Sequence, residues 1–251
     1  MVLSFVVIAA ALGVLGYLGY LMLYKDALVV RPPDYCPTGT WAQVKEGFAV
    51  PGHTAILIDT SNEIPAEDAE LAFQAIENWT REAPFLQRLS IYALPASAGA
   101  PAVRSYGSWC IPKDGEKANL IYENPVYVEA QFRRFLATAQ DIFQKLVDRD
   151  EAAQSPIVET MAGLVRLNDD LDSVILVSDM LQNTDLWSHY TMEGDSLGTS
   201  SECRRIAGGA QLLEAVHVYY IHRSLPEIQA PEWPDAWWAR CLGGVRATML
   251  N

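Results

Sequence analysis

Two short apolar runs, each closing on an acid, restrict the fold of this chain more than any other feature. "TAILIDT" at residues 54–60 carries four consecutive apolar residues and then Asp59. "SVILVSDM" at 173–180 has the same form and ends at Asp179. Neither run alternates as a half-wetted strand does, so each has to be covered on both faces. "RLSIYALPA" (88–96) and "AVHVYYIHR" (215–223) read as further strands. Between them lie segments of helical period. "AEDAELAFQAIENWTREA" (66–83) places Leu71, Ala72, Ala75, Ile76 and Trp79 on one face, opened by Pro65 and the acids of its first turn. "VYVEAQFRRFLATAQDIFQKLVDR" (126–149) is a long amphipathic helix. "SPIVETMAGLVRLND" (155–169) begins with Ser155 as N-cap, Pro156 at the first helical position and Glu159 in the first turn.

Strands alternating with helices predict an α/β fold, a mostly parallel central sheet with helices on both faces. "AVRSYGSWCIP" (102–112) is polar enough to be an edge strand, joined to the strand before it as a hairpin. "CRRIAGGAQLLE" (203–214) reads as a short helix. "PDAWWARCLGGV" (234–245) reads as a last helix ended by Gly243 and Gly244, with a short strand after it. Trp233, Trp237 and Trp238 are expected to pack that helix onto the sheet.

The remaining organisation is terminal. Val2–Tyr24 contains no charged residue and closes at Lys25-Asp26. About 20 apolar residues cross a bilayer core, so residues 1–25 read as a single transmembrane anchor, with Tyr17, Tyr20 and Tyr24 at the interfacial end. Residues 26–50, including "RPPDYCPTGT", form a Pro-rich linker, and 51–251 form one domain. The expected site is the inner cell membrane. Lys25, Arg31 and Lys45 after the span favour a cytoplasmic domain; the even set Cys36, Cys110, Cys203 and Cys241 tips the balance to the outer face. A net charge of −13 without any basic run leaves no patch for phosphates and excludes nucleic acid as a partner.

In a parallel sheet, ligands sit beyond the carboxyl ends of the strands. If the two acid-ended strands are neighbours, Asp59 and Asp179 share one edge with Ser61 and Ser155. Carboxylate and hydroxyl oxygens suit a hard divalent cation such as Mg²⁺. The alternative leaves both acids as polar strand ends satisfied without metal.

Asp59-Thr60-Ser61-Asn62-Glu63 resembles the metal-ion-dependent adhesion motif Asp-x-Ser-x-Ser of the von Willebrand factor type A (VWA) family. Ser155 stands where that family opens a helix with Thr, and Asp179 where it reads Asp-Gly. The resemblance follows the element order of residues 50–250, a VWA-like α/β domain, and implies Asp59, Ser61, Ser155 and Asp179 as metal ligands. Glu63 replaces the second serine, either as an additional ligand or as the residue that fills its place, and Met180 replaces the glycine. The wider pattern, with "CPTGT" and "WCIPKDG", is similar to a group of membrane-anchored bacterial proteins.

An enzyme is not expected. Ser61 stands where a dehalogenase-type phosphatase needs a second Asp, no Gly-rich phosphate loop or Gly-x-Ser-x-Gly elbow occurs, and His53, His189, His217 and His222 lack ligand spacing. The long loop after Asp179, with Asn183, Asp185, Trp187, His189 and Tyr190, is the expected partner-contacting surface. The resulting expectation is a membrane-anchored, cation-dependent protein-binding module. Its alternatives are a metal-independent scaffold component and, behind it, a metal-assisted hydrolase.

Overall fold

The structure is a computed structural model. It describes residues 8–19, 33–36, 51–95, 105–121, 123–148, 153–191, 203, 205–207, 215–221, 237–238, 241 and 246–250. The chain divides into two units, residues 1–49 and 50–251. In the first, residues 8–19 are helical and largely exposed. Among the described residues no helix is long and apolar enough to cross a membrane. Residues 2–7 and 20–24 of the expected span lie outside them, as does most of the linker.

The second unit is built on a six-stranded sheet of order β3-β2-β1-β4-β5-β6. The strands are β1 (His53–Ile58), β2 (Arg88–Ala93), β3 (Gly107–Cys110), β4 (Leu171–Ser178), β5 (Ala215–Tyr220) and β6 (Arg246–Met249). All neighbours are parallel except β2 and β3, which pair antiparallel at the edge. The helices are α1 (Ala66–Glu82), α2 (Pro125–Val147) and α3 (Ile157–Leu167).

The apolar runs behave as their sequence requires. Every residue of β1 is buried, and so are the last six of β4. Ala55, Leu57, Val174, Leu176, Val216 and Val218 point to one side, into a core with Ile157, Met161 and Leu164 of α3. The alternate residues face α1 and α2, which lock together through Phe73 and Phe143, ring centroids 5.6 Å apart. Trp79 of α1 reaches His217 on β5, and Trp109 of β3 meets Phe135 of α2. Helices therefore cover both faces, which is why the central strands tolerate no polar alternation. Asn124 caps α2 by accepting from the Val126 N–H at 3.0 Å, with Pro125 at the first position.

The start of α3 corrects the sequence reading. The helix begins at Ile157 with Pro156 in the capping position, and Ser155 is not its cap. The Val158 N–H is instead satisfied by Oε1 of Gln182, at 3.1 Å, from the loop beyond β4. Ser155 is held outside the helix by two backbone bonds with Asn183, at 2.8 and 3.0 Å, and its hydroxyl is committed elsewhere. Trp237 and Trp238 are buried in the α3-side core, as a packing role demands. Trp233, His222 and most of the expected helices around Cys203 and Cys241 lie outside the described residues. Cys203 and Cys241 are joined as a disulfide with Cα atoms 5.1 Å apart, and among the described residues there is no free cysteine.

Candidate functional site

Strand order places the site. From β1 the chain runs outward to β2 on one side and later enters β4 on the other. The crevice at the carboxyl ends of β1 and β4 is thus the topological switch point, where open α/β sheets bind ligands. Asp59 follows the last residue of β1 and Asp179 the last of β4, so the two expected acids meet there.

Asp59 is 4% exposed and fully engaged. Its Oδ1 accepts from the Ser61 N–H at 3.0 Å. Its Oδ2 accepts from the hydroxyls of Ser155 at 2.9 Å and Ser178 at 2.7 Å. All three of these donors are neutral. Asp179, equally buried, accepts from the Leu181 N–H at 3.0 Å and from Asn62 Nδ2 at 3.4 Å. Asn62 Nδ2 also donates to Ser61 Oγ at 3.2 Å. Ser61, Asn62, Ser155, Asn183 and Tyr190 border a cavity of about 290 Å³ above the acids.

Asp59, Ser61, Ser155 and Asp179 are therefore brought into one bonded group, whereas Glu63 is exposed and precedes α1 by three residues. Asn62, Ser178 and Gln182 belong to the same edge without having been singled out in the sequence. Only the Asx-turn spacing of Asp59 and Ser61 offered a local signal for part of it. Met180, standing where the resembled family reads glycine, keeps the backbone a glycine would favour, with φ of +60°. Its N–H is held by Ser178 Oγ at 2.8 Å and its carbonyl by Trp238 Nε1 at 2.9 Å, and these bonds secure the left-handed turn.

The donor set fits a hard cation in kind. Ser61 and Ser155 line the cavity, and the Ser155 hydroxyl donates to the Asp59 carboxylate behind it, whose other donors are neutral as well. Oxygen ligands of this sort, together with water, are what Mg²⁺ takes. Among the described residues no group of three or more His, Cys, Asp or Glu side chains could hold a metal, so hydroxyls and water would have to complete the shell.

The loop after Asp179 splits in two. Asp185 is exposed and Tyr190 is 40% exposed at the cavity rim. Asn183 is half-buried, bridging Ser155 and Ser188. Trp187 and His189 turn inward: Trp187 stacks on Trp237 at 4.4 Å, and the His189 ring meets Trp187 at 4.3 Å and Trp237 at 5.0 Å. His189, 2% exposed, is removed from any accessible surface, because the indoles give its ring more contact than water would.

Burial lowers the His189 pKa from 6.5 to about 3, partly opposed by its bond to the Gln182 carbonyl. The folded protein keeps this imidazole neutral while the unfolded chain takes up a proton below pH 6.5. Its contribution to stability is complete above pH 6.5 and is lost as pH falls towards 3, at about 1.4 kcal/mol per unit. Urea titrations between pH 7 and 4 should show that slope, flattened in His189→Phe; an unchanged slope in the variant would contradict the burial.

No family model matches the chain, and no curated protein matches it. Among solved structures it is similar to the PilB minor pilin from Streptococcus sanguinis, at 10% identity and TM-score 0.44, over 86% of this chain and 60% of that one. A point mutant of the same pilin gives 9% identity and TM-score 0.45, over 78% and 56%. A von Willebrand factor type A protein from Catenulispora acidiphila gives 15% identity and TM-score 0.34, over 76% and 43%. The chain thus spans less than two thirds of each of these structures, and the likenesses are too distant to argue from.

Proposed function

We propose that this chain is a membrane-held, VWA-like binding module whose switch-point edge recognises a protein partner with a divalent cation as intermediary. The observation that carries the reading is the pair of buried acids, Asp59 and Asp179, ending the two central strands beneath a cavity edged by Ser61 and Ser155. In this reading Ser61 and Ser155 offer oxygens directly, and Asp59 supplies charge through the Ser155 hydroxyl. Asp179 closes the other side. A cation such as Mg²⁺ would supply an open coordination position for a carboxylate of the partner. Tyr190 at the cavity rim and the exposed Asp185 of the same loop are the residues the partner meets.

The apolar segment Val2–Tyr24 supports a single membrane span. The Cys203–Cys241 disulfide supports a domain on the oxidising, extracytoplasmic side. The second reading keeps the scaffold without metal, and rests on the complete internal hydrogen bonding of Asp59.

Capture of partners from solubilised membranes with the full chain as bait separates the two. Cation-dependent recognition predicts a captured protein that is released by chelator and regained with Mg²⁺. A capture indifferent to chelator would favour the metal-independent scaffold.

A further inference from the structure

Asn62 is the residue whose single amide nitrogen spans the edge. Its Nδ2 donates to Ser61 Oγ at 3.2 Å on the β1 side and to Asp179 Oδ2 at 3.4 Å on the β4 side. A carboxamide nitrogen carries two hydrogens, one for each acceptor. Both distances lie at or beyond the long end of the ordinary N–H···O range, so both bonds are weak and readily exchanged. The position between Ser61 and Asp179 is also the one that the cation reading assigns to the ion.

We propose that the Asn62 carboxamide is a latch that occupies the cation position in the free protein, and that it sets the cation affinity by having to leave. The proposal rests on the cation reading above. Mg²⁺ demands oxygens at about 2.0–2.1 Å in near-octahedral array, which leaves no room for an amide nitrogen between the same two groups. Asn62 has space to swing, because it borders the cavity of about 290 Å³ and is only half-buried. Asp179 therefore trades a neutral hydrogen-bond donor for a full charge, and Ser61 trades a donor for a Lewis acid. With the latch closed most of the time, the apparent affinity is the intrinsic one reduced by the open fraction. Removing the latch raises that fraction to one. The chain then binds cations more tightly with one side chain fewer at the site, the reverse of what deleting a ligand does.

The test is Mn²⁺ binding followed by electron paramagnetic resonance on the full chain, wild type beside Asn62→Ala, with melting of each cation-free protein. The latch predicts a dissociation constant about fivefold lower in Asn62→Ala, the release of roughly one weak net hydrogen bond. It also predicts a lower cation-free melting temperature. Asn62→Ser, too short to reach both oxygens, should tighten binding in the same way and guards against misfolding of the alanine variant. Equal or weaker binding by both variants, with wild type still binding one Mn²⁺, would overturn the latch and leave the cation reading standing. Absence of binding by all three proteins would remove the cation reading and the latch with it.

Discussion

Replacing Asp59 by alanine is expected to remove roughly 4 to 6 kcal/mol of folding stability, a large share of the 5–15 typical of a domain. The carboxylate accepts from the Ser61 N–H and from the hydroxyls of Ser155 and Ser178. Ser178 is 0% exposed, so water cannot take over its hydroxyl once the acceptor is gone, and Ser155 at the cavity wall loses its charged acceptor. Each orphaned buried donor costs about 1–3 kcal/mol. The damage spreads, because Asp59 ties β1 to the start of α3 and to the end of β4 at once. Asp59→Asn keeps one acceptor oxygen and should lose clearly less. Urea denaturation of the two variants beside wild type reads the difference. A loss under about 1 kcal/mol in Asp59→Ala would mean the network does not hold the edge together.

Trp237→Ala is the second large effect, about 3–5 kcal/mol. Trp237 is 1% exposed and among the largest fully buried side chains. It stacks on Trp187 at 4.4 Å with an interplanar angle of 18°, and meets Trp238 edge-on at 4.6 Å and His189 at 5.0 Å. Truncation leaves a cavity that the rigid neighbouring rings cannot close, and forfeits aromatic contacts of about 0.5–1.5 kcal/mol each. The loop from Leu181 to Thr191 depends on this cluster, so His189 should regain access to water and its acid-linked slope should shrink in the same variant. Chemical denaturation at pH 7 and pH 5 measures both effects. A variant that keeps the full slope would show that His189 is buried by something other than Trp237.

The central sheet was legible because fully covered parallel strands leave uninterrupted apolar runs, as in Ala55–Ile58 and Val174–Val177. The edge position of β3 was legible from its polar sequence. Which acids meet was legible only conditionally: Asp59 and Asp179 come together because β4 lies beside β1, and that adjacency is a tertiary outcome. Ser155 was misread for a physical reason. Ser-Pro-x-x-Glu is a strong local start signal, but Asp59 offers its hydroxyl a buried charged acceptor and Asn183 holds its backbone outside the helix. Gln182 then caps α3 from 24 residues away, which no local pattern encodes. Asn62 and Ser178 were passed over because their roles arise only once β4 is laid beside β1. Met180 resembled the loss of a needed glycine, yet its bonds to Ser178 and Trp238 hold the same backbone turn. His189 looked like a surface residue in a polar loop and became core because three indoles surround it.

The central claim is that the edge formed by Asp59, Ser61, Ser155 and Asp179 takes one divalent cation. The most direct measurement is a Mn²⁺ titration of the full chain followed by electron paramagnetic resonance, comparing wild type with Asp179→Asn, which keeps the size of the side chain and one acceptor oxygen while removing the charge. A cation held at this edge predicts one bound Mn²⁺ per wild-type chain, displaced by excess Mg²⁺, and binding weakened at least tenfold in the variant. Wild-type protein that binds no Mn²⁺, or a variant that binds it equally well, would show that this edge holds no cation.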